Sequence, residues 1–466
     1  MAAIYAGLLA ALTIPALNFS ASHIDWPPDV TVQALLMVLV PTVALYYSVL
    51  SREHSFAWSV YWTWSLVFLG LAAAYQLAEG TFPWGGMLHE GDISNAQRIV
   101  LMGHAAVITG FVAMRFRERG QTCNNSSQRT TDSPRLKTGV MSALLVHGSI
   151  GALFSILMGP AMFSGRQAFQ SGLAANEGLP GFGSLYFLSN AGAIVLPAMA
   201  ILLRKKGLNI PVPALVLSAL LSFLVTNPLI GSRFLTGSFL VALTAALVGP
   251  QARRWMPAGV ILAFVTVFPT LDLLRGDGTG ATEVAITAPS ETLTTFDYDA
   301  FEMLTREVSL HGELNTDISR ADLAIAPFLR WIPVLSQGVQ GDASGPAVAT
   351  STGMGYTNVS MPLWGEADLI GAGSGVLVVF TVVGLVLGRV QHATLFTSLL
   401  EIPLAALLFI VLRGSLYEVL GYVLLAYAVA LTFSYLARKD KLDRRDPPVV
   451  ERRESWELAP QRPRGI

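Results

Sequence analysis

The residues of this chain best suited to chemistry gather late in it. Between Arg275 and Glu366 the sequence offers the carboxylates Asp297, Asp299, Glu302, Glu313, Asp317 and Glu366, and a single histidine, His311, interleaved with Arg306, Arg320 and Arg330. A carboxylate, or a histidine that titrates near neutral pH, can take the proton of an attacking hydroxyl, and arginines can hold the charge that grows on a departing phosphate. His311, Asp299 and Glu366 are the candidates for proton transfer. Asp297-Tyr298-Asp299 also has the spacing of an Asp-x-Asp metal motif, but capping of a following helix is the plainer explanation and no metal or other cofactor is expected.

The elements that must position these groups are apolar. With 53% hydrophobic and 13% charged residues and a mean hydropathy of +0.54, the chain lacks the polar surface to cover a soluble globule of 466 residues. An all-α, polytopic transmembrane bundle is expected, and the single Cys123 excludes an internal disulfide or a cysteine-built metal site. Twelve segments approach the length that crosses a hydrocarbon core of about 30 Å. They are residues 2–18, 30–50, 55–77, 95–114, 139–162, 182–203, 210–230, 234–250, 255–274, 367–388, 392–412 and 415–436. The division is therefore a bundle over 1–274, an extracytoplasmic loop over 275–366, three more spans over 367–437 and a disordered cytosolic tail over 438–466.

Threading twelve spans puts Arg52, the cations from Arg115 to Lys137, Arg204, Lys205, Lys206, Arg253, Arg254, Arg389 and those from Arg438 onward on one side, which the positive-inside rule makes cytosolic together with both termini. The short basic clusters are explained by this topology, and no nucleic-acid partner is expected. Eight cations remain outside: Arg98, Arg166, Arg233, Arg275, Arg306, Arg320, Arg330 and Arg413, with no lysine among them. Arginine meets phosphate oxygens with a rigid two-point fork, so the bias suits a phosphate or diphosphate site; the competing explanation is a chain that prefers arginine throughout, as 25 of its 30 basic residues do. Arg233 and Arg413 stand out because each sits in a very short turn between two spans.

In the loop, Tyr298, Phe301, Leu304, Val308 and Leu310 recur at helical spacing, which predicts an amphipathic helix lying on the membrane and ended by Gly312. A second short helix is expected from Asp317 to about Ala326, stopped by Pro327, and a mobile flap from Ser336 to Pro362. Gln76, Glu79 and Trp84 at the outer exit of the third span could face a sugar, although aromatic residues there also make an ordinary interfacial belt. His104 and His147 should be hydrogen-bonded inside the bundle, and Gly371-Ala372-Gly373-Ser374-Gly375 reads as close helix packing.

The Gln-Leu-x-x-Gly-x-Phe-Pro-Trp exit from Gln76 to Trp84, the Asn227-Pro228 to Arg233 turn, the Phe296-Asp297…Phe301-Glu302 helix, and Glu366 followed by Gly371 together resemble the O-antigen polymerases (Wzy-like) and oligosaccharide repeat-unit polymerases. The resemblance spans most of the chain. It implies an inverting, metal-independent glycosyltransferase of the bacterial cytoplasmic membrane that moves a growing glycan from its polyprenyl pyrophosphate carrier onto the next lipid-linked repeat unit. A chain-length regulator and a flippase are the protein partners such a polymerase would have, beside membrane lipid. By position it assigns pyrophosphate binding to Arg233, Arg330 and Arg413, and Glu366 to the site; Arg275 and Arg166, from the outward arginines, are further pyrophosphate candidates. The lysine that follows the matching Trp-Pro segment in related loops is missing after Arg330. A lipid-linked oligosaccharide flippase or another polytopic transporter, and a polysaccharide ligase, are the alternatives; no half-to-half symmetry supports the transporter.

Overall fold

The computed structural model describes residues 7, 9–11, 13–18, 26–50, 55–86, 88–119, 133–227, 232–267, 289–314, 319–330, 343–356, 359–391 and 394–445. Among them no strand occurs. After the apolar segment Leu9–Asn18 the helices are α1 (Pro28–Leu50), α2 (Phe56–Glu79, continuous through a π-helical stretch at Ser65–Leu71), α3 (Glu90–Arg119), α4 (Pro134–Met158), α5 (Arg166–Asn176), α6 (Phe182–Lys205), α7 (Val212–Val225), α8 (Arg233–Leu247), α9 (Met256–Leu262), α10 (Ala300–Ser309), α11 (Arg320–Leu329), α12 (Ser344–Ser351), α13 (Leu363–Arg389), α14 (Leu395–Val411) and α15 (Leu416–Arg445). Seven of these, α1, α2, α3, α4, α6, α13 and α15, are long and apolar enough to cross a membrane; Leu9–Asn18, α7, α8, α9 and α14 are apolar but shorter.

Glycines let α3 and α13 approach closely. A β-carbon on Gly110 would overlap the Thr381 carbonyl, and one on Gly384 the Val107 carbonyl. Lipid offers no hydrophobic drive for such a pair, so van der Waals contact between bare backbones must supply it. Where the two helices enter the bundle, Trp364 of α13 lies over Gly103 and stacks on Trp64 of α2, with ring centroids 5.7 Å apart. Tyr61 donates to or accepts from His104 Nδ1 at 3.1 Å, and His147 Nε2 lies 3.2 Å from Ser222 Oγ, so both intramembrane histidines are hydrogen-bonded internally as expected.

Contacts sort the helix ends into two faces. On one, the start of α4 meets the end of α15 where Asp440 accepts from the backbone N–H of Arg135, the start of α2 meets α14 where Glu401 accepts from Phe56 N–H, and Lys205 at the end of α6 donates to Leu247 at the end of α8. On the other, the end of α2, the start of α8, the start of α13 and the α14–α15 turn come together; Leu363 N–H donates to Leu412 O at 3.1 Å.

Four expectations are corrected. α10 does not lie on a surface: Glu302, Thr305 and Glu307 are buried along with Phe301 and Leu304, because α2, α3, α12 and α13 enclose it. The segment read as a flap contains α12, whose Val348 and Ala349 pack with Met303, Val359 and Met361. Pro327 lies inside α11 rather than ending it, and α11 begins at a capping box built by Ser319 and Asp322. The tail from Arg438 continues α15 as far as Arg445, held by Asp440, which accepts from Ser133, and by the Arg135–Asp443 ion pair. Part of the flap (336–342), Asp272, Cys123 and the tail beyond 445 lie outside the described residues.

Candidate functional site

The site is built where four chain segments meet. Asp297-Tyr298-Asp299 forms the entry to α10, and its backbone is fixed from below: buried Gln76 on α2 donates to Leu293 O at 3.0 Å and to Tyr298 O at 2.8 Å, while Tyr298 OH donates to Phe264 O at 2.5 Å. Held in this way, the two aspartates meet arginines from distant parts of the chain. Arg233, the first residue of α8, pairs with Asp297 at 2.6 Å. Arg413, in the α14–α15 turn, pairs with Asp299 at 3.2 Å, donates to the carbonyl of Asp297 and lies 4.2 Å from the Phe234 ring centroid.

The network continues through Trp84. Its indole N–H donates to Asp299 Oδ2 at 3.0 Å and its backbone N–H to Glu302 Oε2 at 2.8 Å; Glu302 in turn pairs with Arg306 at 2.6 Å, and Arg306 donates to the Gly85 carbonyl. Three guanidinium groups are therefore paired with three carboxylates, and Trp84 joins two of the pairs. Burial raises the Asp299 carboxyl from its ordinary value, against the pull of Arg413 and the Trp84 indole. Burial raises Glu302 likewise, against its bonds from Trp84 N–H and Arg306. At the rim, Trp84 stacks on Tyr356 at 5.1 Å and meets Phe296 at 4.5 Å, and the last two rings are exposed.

A second carboxylate fixes the turn that carries Arg413. Glu366, in the first turn of α13, accepts from Ser344 Oγ at 2.5 Å, Ser415 Oγ at 2.7 Å and Leu416 N–H at 2.6 Å. Each of its oxygens is thus engaged in tying α12, α13 and the α14–α15 turn together. Beyond it α13 is interrupted at Gly371 and Ala372, whose φ of 51° is a strained value for a residue with a β-carbon.

Of the residues singled out in the sequence, Arg233, Arg413, Asp299, Trp84 and Gln76 are brought together here. Arg330 instead meets the start of α15, its guanidinium 4.3 Å from the Tyr417 ring and donating to Tyr417 O at 3.0 Å. His311 is exposed in the turn after α10, with φ of 49°, followed by Gly312 as expected. Glu79 is exposed at the end of α2, and Arg166 opens α5, which rests on α4 through Phe169 and Phe154. Arg275 and Asp317 lie outside the described residues. Asp299 is the N-cap residue of α10, yet its side chain bonds Trp84 and Arg413 rather than the helix N–H groups, which corrects the capping explanation. The sequence reading had Arg306 only among the outward cations and Phe296 only within the Phe-Asp motif, and missed Tyr356, which nothing but its aromatic character signalled.

No family model, no curated protein and no solved structure matches this chain. The geometry alone therefore carries the functional argument. It offers paired cationic forks, a buried carboxylate of raised proton affinity and an exposed aromatic rim.

Proposed function

We propose that the protein is a multi-pass glycosyltransferase of the bacterial cytoplasmic membrane that polymerises polyprenyl-pyrophosphate-linked repeat units at the outer face. The observation that carries this reading is the convergence of Arg233 and Arg413 on Asp297 and Asp299 beside an aromatic rim. Seven helices are long and apolar enough to cross a membrane, and the five shorter apolar ones are the further crossings that a twelve-span reading requires. The clustering of lysines in alternate loops of the sequence supports, by the positive-inside rule, a cytosolic face opposite to Arg413 and an outward arginine network.

In this reading the donor diphosphate takes the guanidinium forks of Arg413 and Arg233 in exchange for their aspartates. The acceptor hydroxyl oxygen attacks the anomeric carbon as the bond from that carbon to the diphosphate oxygen breaks, its electron pair leaving with the diphosphate. The hydroxyl proton passes to Asp299. Once the diphosphate neutralises Arg413, the pull that lowers Asp299 is gone and the carboxylate becomes a stronger base. Trp84, Phe296 and Tyr356 offer ring faces on which a sugar stacks.

The break in α13 favours one second reading, a flippase for the same lipid-linked substrate, since transporters place binding sites at interrupted helices. Analysis of lipid-linked glycans in a strain lacking the protein separates the two. Loss of a polymerase leaves single repeat units facing outward; loss of a flippase leaves them facing the cytosol.

A further inference from the structure

A groove at the other end of the bundle has no part in this reading. It runs between α1, the start of α2 and the last turns of α3, has a volume of about 550 Å³, and is lined by Val40, Ala44, Tyr47, Trp58 and Phe111, with Arg115 as its charged residue. That volume falls within the range of about 300–1,000 Å³ found for small-ligand clefts. Val43, Tyr47, Val112 and Phe116 are exposed along it, so it opens toward the hydrocarbon that must surround a bundle of this composition.

Arg115 gives the groove a polarity. It lies about 37 Å along α3 from Glu90, at ~1.5 Å per residue, and so at the membrane face opposite to the Arg413 network. Its guanidinium is 5.9 Å from the Phe111 ring centroid, and Phe111 stacks on Trp58 at 3.8 Å, forming an apolar floor that ends in a cation at headgroup depth. A purely apolar tail would need no such end, and a soluble anion would find Arg115 as the one charged side chain among the described lining residues. An amphiphile with an anionic head fits both parts.

We infer that this groove binds one anionic glycerophospholipid, with an acyl chain along Val40, Ala44 and Phe111 and its phosphate on Arg115. One cation near an anionic membrane surface contributes about fivefold in affinity (about 1 kcal/mol). Trp58 lines the groove and reports occupancy. The experiment reconstitutes the full chain in vesicles containing brominated-chain phosphatidylglycerol or brominated-chain phosphatidylcholine and titrates quenching of the emission that a Trp58→Phe variant lacks. The expected result is half-quenching at about fivefold less phosphatidylglycerol than phosphatidylcholine, a preference abolished by Arg115→Gln, and weakened quenching by both lipids in Ala44→Phe, which fills the groove. Equal quenching by the two lipids in the unsubstituted protein overturns the inference, as does a preference that survives Arg115→Gln.

Discussion

Arg413 and Asp299 are joined at 3.2 Å although 114 residues separate them. The same guanidinium also donates to the carbonyl of Asp297, so one side chain locks the α14–α15 turn onto the entry of α10. Both partners are largely buried, which makes the pair a stability element as well as a candidate anion site.

Removing one partner of such a pair strands a buried charge and costs about 3–5 kcal/mol. Arg413→Ala is expected to lower thermal stability in detergent by that order, and Arg413→Lys to lose chain extension because a compact ammonium does not reproduce the planar two-point fork that a diphosphate takes. The double variant Arg413→Ala/Asp299→Asn should regain most of the stability yet still make no long glycan. Recovery of normal glycan length in the double variant, read on a gel ladder, would assign the pair to the scaffold alone.

Glu366 is expected to act through position. Glu366→Gln places an amide donor against donors from Ser344, Ser415 or Leu416 and should cost about 1–3 kcal/mol in thermal unfolding. If stability is unchanged while transfer stops, Glu366 belongs to the chemistry.

Close packing of α3 on α13 makes a clean contrast. Gly110→Ala must push the helices apart and is expected to cost about 1–3 kcal/mol, whereas Gly237→Ala, which meets open space in α8, is expected to be neutral or mildly stabilising. Unfolding midpoints of the two variants check this, and equal midpoints would contradict the packing.

Glu307 links stability to pH. It is buried, its Oε2 has no hydrogen-bond partner among the described residues, and burial together with Asp368 holds its carboxyl well above the ordinary value of 4.5, with Arg320 opposing. An acid whose proton affinity rises on folding stabilises at low pH and loses that contribution as pH climbs through the folded value. Glu307→Gln should therefore gain stability relative to the parent chain as pH rises above 4.5, with a flatter pH profile. Parallel profiles for both proteins would remove Glu307 from the account.

Apolar periodicity made the bundle legible: residues 182–203 and 415–436, for instance, are observed as Phe182–Lys205 and the greater part of Leu416–Arg445. The loop was not legible in the same way. Facial spacing of Phe301, Leu304 and Val308 describes a surface helix; the Glu302–Arg306 pair is a local match four residues apart, but nothing local reveals that Trp84 would complete the shell of Glu302 and allow its burial. α12 carries no periodicity because it is short and seats Gly345 against the Val359 carbonyl. The arginine types were readable, but their carboxylate partners depend on pairings 64 and 114 residues apart. α5, polar and brief, gave no apolar signal at all.

The most direct test of the arginine network is calorimetric titration of the purified protein with a short-chain polyprenyl diphosphate at low ionic strength. Saturable binding by the unsubstituted protein, lost in Arg413→Ala/Asp299→Asn while the variant unfolds at nearly the same temperature, is the predicted result. Equal affinity in the two proteins would contradict it.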